Sequence, residues 1–364
     1  MTVKEVTEIL EDLAPLPYAE GFDNVGLLVG DSTSEVRGIL VTLDTMENVI
    51  DEAIEKKCNL IVSFHPIIFG GLKKITGKSY VERVVIKAIK NDIAIYSMHT
   101  ALDNVPNGVN AKICDVLGIK NTKALIPQKG SIKKLTTYVP LKDADAVREA
   151  IFNAGAGNIG NYSNCSFNVN GLGSYKAREN AKPTLGEIGK THYEEETQLN
   201  VTFSKAHQSK IMKALFATHP YEEVAYEIST LENNDQNLGM GMIGTLDSPM
   251  GELDFLKQVK QTMSAGGIRH SKLLGREIRR VAVLGGSGAF AIDAAKAAGA
   301  DILITADIKY HEFYKAEDKI VIADIGHYES EQFTKNLLVD YLTKKIPNFA
   351  IRLSESKTNP IKYL

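Results

Sequence analysis

GILVTLDTMENVIDEAIEKKCNLIVSFHPIIF, residues 38–69, decides the fold. A β-branched run at 39–42 leads into a polar, helix-compatible stretch at 47–57, and a second apolar run at 60–62 stops at Ser63-Phe64-His65-Pro66. That is strand, helix, strand, then a histidine at the strand's carboxyl end. IAIYSMHTALD, residues 93–103, adds a third apolar run at 93–96, followed by His99 and Asp103. In open α/β sheets ligands collect at the carboxyl ends of the strands, where loops and helix amino termini converge. Two imidazoles and a carboxylate at two successive strand ends therefore mark a candidate site.

The far end of the chain repeats the pattern. VAVLGGSGAFAIDAAKAAGADILITADIKYH, residues 281–311, lies over the first stretch without a gap: Val41 stands over Val283 and Pro66 over Ile308, a constant offset of 242. Another apolar run at 320–323 precedes Gly326-His327-Tyr328 and Glu331, so that His99-x3-Asp103 is matched by His327-x3-Glu331. Chance likeness of two ordinary βαβ units is the competing explanation; recurrence of polar residues at the same strand-end places favours a true repeat.

At 364 residues the chain exceeds the size one core usually serves, so two or three domains are expected. Its 44% hydrophobic and 24% charged residues describe a globular protein, and a net charge of -3 provides no basic face for nucleic acid. Cys58, Cys114 and Cys165 lack zinc-finger or CxxC spacing, and their odd number argues against a disulfide framework. No uninterrupted apolar run reaches about 18 residues and no signal-peptide pattern opens the chain, so the expectation is a cytoplasmic protein without a membrane span.

An amphipathic helix is predicted over 3–13, closed by Pro15 and Pro17, with further helices over 80–91 and 109–117. From Lys123 the character changes. Strands at 134–139 and 165–169, a polar loop through 171–186, a strand at 194–203 and another at 223–228, with helices over 143–154 and 206–217, predict an α+β module of split-βαβ kind. The turn His219-Pro220-Tyr221-Glu222-Glu223 reads either as a rigid acidic corner or as part of a cover over the opening of an assembly. Gly239-Met240-Gly241 marks the return to the core. Gly285, Gly286, Ser287 and Gly288 form either a plain tight turn or an anion subsite at a helix amino terminus; the P-loop lysine and the full dinucleotide spacing are absent.

Phe22-Asp23-Asn24-Val25-Gly26-Leu27, Ser63-Phe64-His65-Pro66, His99-Thr100-x-x-Asp103 and Asp324-x-Gly326-His327-Tyr328-x-x-Glu331 together resemble the motifs of the NIF3-like family, also labelled GTP cyclohydrolase 1 type 2 homologues. The segment 154–162 and the 218–223 turn are similar to the insertion of its longer bacterial members, a PII- or CutA-like module. The resemblance implies an α/β fold: a core of two similar α/β halves, 1–122 and 239–364, with an inserted α+β ferredoxin-like domain at 123–238. It also implies a dinuclear metal centre between the halves, a toroidal homohexamer and a small-molecule ligand.

Carried over residue by residue, the family's metal ligands fall on His65, Asp103, His327 and Glu331, with Glu331 bridging two divalent ions. Phe64 stands where the family has a histidine, so the second ion should bind more weakly unless water or His99 substitutes. Asp307, His311 and Asp324 are candidates for orienting ligands or touching substrate, or for local hydrogen bonding alone. Mixed imidazole and carboxylate donors suit zinc foremost, with iron or manganese next, over calcium or magnesium. A metal-dependent hydrolase of a small nucleotide-like or phosphorylated substrate is one expectation; a non-enzymatic metal-binding regulator or scaffold is the other.

Overall fold

In the computed structural model, which describes residues 1–364, the strands Ile39–Thr42, Leu60–Ser63 and Ala94–Ser97 are adjacent and parallel. Ile39 lies opposite Leu60, and Leu60 opposite Ala94. Glu277–Ser287, Ile302–Ala306 and Val321–Asp324 repeat the arrangement, with Val281 opposite Ile302 and Ile302 opposite Val321. The offset of 242 therefore holds in the pairing register, since 39 and 60 map onto 281 and 302.

These strands are apolar on both faces because both faces are covered, as parallel sheets require. Ile39, Val41, Val62 and Tyr96 share one core with Val281, Val283, Ile302 and Ile304, and the helices Val109–Leu117 and Thr334–Lys345 add Ile113 and Leu338 to it. The alternate residues Leu40, Ile61 and Ile95 pack with Val49 and Ile50 of Glu47–Glu55 and Val84 and Val85 of Tyr80–Lys90. Ala282, Leu303 and Ile322 pack with Ile292 and Ala295 of Ile292–Ala297. The strand period of two thus sorts one run of sequence into two cores. The amino-terminal helix Val3–Leu13 carries a capping box between Thr2 and Glu5 and buries Val3, Val6 and Leu10.

Antiparallel strands extend both sheets. Gly26–Val29 joins Ala94–Ser97, while Gly239–Gly251 lies between Glu277–Ser287 and Lys120–Pro127. Residues 123–127, expected in the insertion, are therefore core strand: Ala124 pairs with Met242 and is buried. A short strand missed in the sequence, Ile351–Leu353, adds in parallel to Ile39–Thr42 and carries the carboxyl-terminal end into the first sheet. The chain divides into one compact unit of Met1–Pro127 with Gln236–Leu364 and a second of Gln128–Asp235.

The second unit runs β-α-β-β-α-β. Its four strands Phe167–Lys176, Thr191–Ser204, Ile132–Pro140 and Tyr226–Thr230 lie in that spatial order, all pairs antiparallel, the arrangement of a split βαβ. Leu135, Val139, Leu199 and Val201 meet Val147 and Ile151 of Ala144–Asn153 and Ile211 and Leu215 of Gln208–Thr218. The loop expected from residue 171 starts later, after Lys176, because pairing with Thr191–Ser204 continues through Gly171 and Gly173. No helix in the chain is long and apolar enough to cross a membrane.

Candidate metal centre

Parallel pairing puts consecutive strand ends side by side, and each histidine meets a carboxylate from the neighbouring strand. His65, two residues beyond Leu60–Ser63, places Nδ1 2.8 Å from Oδ1 of Asp44, which follows Ile39–Thr42. His327, after Val321–Asp324, places Nδ1 2.7 Å from Oδ2 of Asp307, which follows Ile302–Ala306. His99, after Ala94–Ser97, places Nδ1 2.8 Å from Oδ1 of Asp23, whose second oxygen accepts from the amide and hydroxyl of Thr100. A carboxylate at Nδ1 fixes a proton there and leaves Nε2 as the nitrogen that binds a cation once its own proton is given up, the arrangement that orients histidine ligands. The backbone is strained at two of these positions, with φ +24° at His99 and +57° at Asp307.

The free nitrogens converge. Nε2 of His65 lies 3.0 Å, and Nε2 of His327 3.2 Å, from Oε2 of Glu331, and the two nitrogens are 3.4 Å apart. His65, His327 and Glu331 offer donor atoms all within 4.8 Å of one another. Glu331 is buried, yet that oxygen makes no hydrogen bond of acceptable geometry. The short distances are therefore ion-pair contacts, not aligned hydrogen bonds, as expected where donors aim at a common point. Although burial opposes it, the negative charge of Glu331 raises the His65 imidazole to about 10, and the same carboxylate raises His327 to about 9. Burial likewise works against ionisation of Glu331, but His65 and His327 hold its carboxyl at about 2. The field of this cluster favours positive charge strongly.

Asp103 is not part of that tight group. It is buried, its Oδ1 has no hydrogen-bond partner, and burial together with the charge of Glu331 pushes its carboxyl well above the ordinary value. An orphaned buried oxygen beside a cation-favouring cluster fits a donor to a bound ion. Phe64 is fully buried in the core, its ring centroid 4.9 Å from that of His65 and 5.5 Å from that of His99, and contributes no donor.

The glycine turn has a different purpose from the anion subsite that Gly285, Gly286, Ser287 and Gly288 suggested. The amides of Gly285 and Gly286 already donate to Asn110 Oδ1 at 3.0 Å and Ser330 Oγ at 2.9 Å, and the Ser287 hydroxyl donates to Asp307. What the turn needs is space: a Cβ at Gly286, where φ is +66°, would lie 2.4 Å from Oε1 of Glu331, and one at Gly288 2.0 Å from Thr305 Oγ1. Asp324 is also taken, accepting from the Ile308 and Gly326 amides and from Arg269, so it ties the turn after Ile302–Ala306 to the turn after its own strand. His311 is exposed, its ring against Tyr310 and Tyr314.

Three contributions escaped the sequence. Asp44 and Asp307 precede their histidines by 21 and 20 residues, a spacing that could have revealed Asp44 beside Asp307. Asp23 lies in a quoted motif but shows its role only through its contact with His99. The carboxyl-terminal tail lines, with Asn359, Pro360 and Ile361, one side of a cavity of about 340 Å³ that also holds His65, His99 and His327. Thr358 donates to Asp44 at 2.8 Å and Asn359 to Glu329 at 2.9 Å.

Known proteins share this plan. The family model for Duf34/NIF3 (NGG1p interacting factor 3) matches residues 1–360. The chain is 36% identical to a GTP cyclohydrolase 1 type 2 homolog of Bacillus subtilis, over 99% of this chain and 98% of that one, and 37% identical to its namesake in Halalkalibacterium halodurans over the same shares. A Bacillus cereus protein related to NIF3, 36% identical, superposes over 100% of this chain and 99% of its own with a TM-score of 0.83. A whole-chain family match and relatives above 30% identity leave one conclusion: the chain is a member of the Duf34/NIF3 family.

Proposed function

We propose that the protein binds a divalent transition metal through His65, His327 and Glu331, with Asp103 completing the donor set, and uses the site for hydrolysis of a small nucleotide-like or phosphorylated molecule. The observation that carries the metal reading is the carboxylate at Nδ1 of each histidine, which leaves both Nε2 atoms directed towards one buried, unbonded oxygen of Glu331. Nitrogen and oxygen donors suit zinc first, then iron or manganese. A second ion would rest on His99, Asp103 and Glu331 and bind more weakly, because Phe64 provides no donor.

A bound divalent ion would supply Lewis acidity and lower the pKa of water. The chain's own part is to position. Asp44 and Asp307 hold the imidazoles, Thr358 holds Asp44, and the tail residues Asn359 to Ile361 line one side of the cavity. The name carried by the Bacillus subtilis relative directs the first substrate assays to nucleotides. The setting proposed is the cytoplasm, where the free cysteines Cys58, Cys114 and Cys165 would stay reduced, and the assembly a homohexamer.

A second reading, a metal-binding regulator, is favoured by the separate unit Gln128–Asp235, whose split-βαβ order we take to be that of a PII- or CutA-like module. Metal stoichiometry of wild type, His65→Ala and Glu331→Ala, followed by turnover of nucleotides, phosphoesters and cyclic amides at defined metal loading, separates the readings. Unchanged stoichiometry and affinity in both variants would sink the metal assignment; metal binding without turnover of any substrate favours the regulator.

A further inference from the structure

The unit Gln128–Asp235 holds a cavity of its own with a different lining. Alternation along Thr191–Ser204 sends Leu199, Val201 and Phe203 into the helix-covered core and Glu194, Glu196 and Gln198 to the opposite face. Tyr175 lies opposite His192 and Gly173 opposite Glu194 on that same face. There a cavity of about 440 Å³ is bounded by Tyr138, Tyr175, Tyr221, Glu196, Glu222 and Glu223, and by no lysine or arginine.

The walls are built, not incidental. His219 is buried, with Nε2 3.0 Å from the Tyr138 carbonyl and Nδ1 accepting from the Tyr221 amide at 3.2 Å, so this histidine sets the turn that presents Tyr221. The Tyr221 hydroxyl donates to Oε1 of Glu196 at 2.9 Å. The other oxygen occupies space that only glycine leaves open, since a Cβ at Gly173 would lie 2.1 Å from Oε2 of Glu196. The Tyr175 and Tyr221 rings meet at 66° with centroids 5.8 Å apart and form an aromatic corner beside that carboxylate. Thr184 donates to the Pro220 carbonyl at 2.8 Å and the Lys182 amide to Glu222 at 2.7 Å, which fastens the 181–184 loop to the 220–222 turn across the cavity.

This lining excludes most ligand classes. An anion would meet carboxylates with no compensating cation. A bare metal ion would face phenol rings over much of its surroundings and leave most of the volume unfilled. A neutral apolar body would desolvate Glu196 without pairing it. A cation with an apolar body satisfies the set, because tyrosine faces attract positive charge and a carboxylate stands beside them. Burial first, then the charges of Glu194 and Glu196, hold the Tyr175 phenol above its ordinary value, a sign that negative potential reaches this corner. We propose that the cavity is a binding site for a small organic cation, an alkylammonium or guanidinium on an apolar body, with Glu196 as counter-ion and Tyr175 and Tyr221 as its ring walls.

The test uses the full-length protein with labelled alanine methyls, since Ala177, Ala181 and Ala225 line the cavity. Choline and agmatine are titrated against 3,3-dimethylbutanol, the uncharged analogue of choline. Saturable binding of a cation, with shifts centred on those three methyls and the uncharged analogue at least about tenfold weaker, is expected. Glu196→Gln should weaken the cation about tenfold, and Tyr175→Leu severalfold, with unchanged circular dichroism. The proposal is overturned if the uncharged analogue binds as tightly as choline, if neither cation saturates by about 10 mM, or if the shifts map to other methyls. The choline comparison needs no variant and decides the matter even where a substitution disturbs folding.

Discussion

Glu52 joins the first helical layer to the last residues of the chain, and its removal should release the carboxyl-terminal tail. The side chain is buried on Glu47–Glu55 and accepts from the Ser354 hydroxyl at 2.7 Å, the Glu355 amide at 2.9 Å, the Ser356 amide at 3.1 Å and Lys56 at 2.8 Å. Burial opposes its ionisation, yet Lys56, the Glu355 amide and the two serines hold its carboxyl at about 2 against an ordinary 4.5. By linkage that displacement corresponds to about 3 kcal/mol, and to about 2 kcal/mol once solvent screening of the Lys56 pair is allowed for. Glu52→Ala strands the buried Ser354 hydroxyl and the Glu355 amide, each worth about 1 kcal/mol or more, and leaves the Ser356 amide only its longer bond to Ser354 Oγ, a total of about 2 to 3 kcal/mol. The assay is hydrogen exchange of peptides covering 351–356, which reads local opening even though the chain has two units and whole-chain unfolding need not be two-state. A local loss of that size accelerates exchange about thirty- to a hundredfold. Because the folded carboxyl sits below its unfolded value, the stabilisation is complete above about pH 4.5 and lost as the pH falls towards about 2. Wild type should therefore loosen across that window while Glu52→Gln shows no such dependence. An acceleration under about threefold in Glu52→Ala, or equal acid sensitivity in Glu52→Gln, refutes the reasoning.

Other outcomes test the metal centre. Asp44→Asn should lower metal affinity about tenfold or more by calorimetry, because the His65 ring loses the charge that orients it. Gly286→Ala should displace Glu331 and lower metal affinity at least about tenfold, since the position has φ +66° and its Cβ would press on Oε1. Asp103→Asn should raise the thermal stability of the metal-free protein, by about 1 kcal/mol, while reducing metal uptake, because it removes a carboxyl whose charge is opposed by burial and by Glu331. Metal uptake at pH 7 should release about two protons, measured by calorimetry in buffers of different ionisation enthalpy, and affinity should rise with pH, because His65 and His327 hold their protons to about 10 and about 9.

Much of the core was legible in the sequence because its signals are local. Apolar runs bounded by polar strand ends located Ile39–Thr42, Leu60–Ser63 and Val321–Asp324 to within a residue or so, and the ungapped offset of 242 reappears as pairing register. Helices with an apolar stripe and a proline or glycine stop, Val3–Leu13 and Val109–Leu117, needed no tertiary information. The residues His65, His327 and Glu331 could be singled out for the same reason, as polar groups at apolar strand ends. Their partners could not. Which carboxylate holds which imidazole depends on strands lying side by side, so Asp44 and Asp23 acquire their roles only from the sheet. The glycine run 285–288 has the local look of an anion-binding turn; only the fold shows its amides committed to Asn110 and Ser330 and its missing side chains making room for Glu331 and Thr305. The strands Lys120–Pro127 and Ile351–Leu353 and the tail beside the cavity were missed because edge pairing and the placement of Asn359 to Ile361 are set by contacts between residues more than a hundred apart, which no periodicity within a short window records. The sequence by itself determined the alternation that builds two sheets and their polar ends; the tertiary structure decided which of those polar groups meet, because hydrogen bonding and charge pairing depend on distance in space and not along the chain.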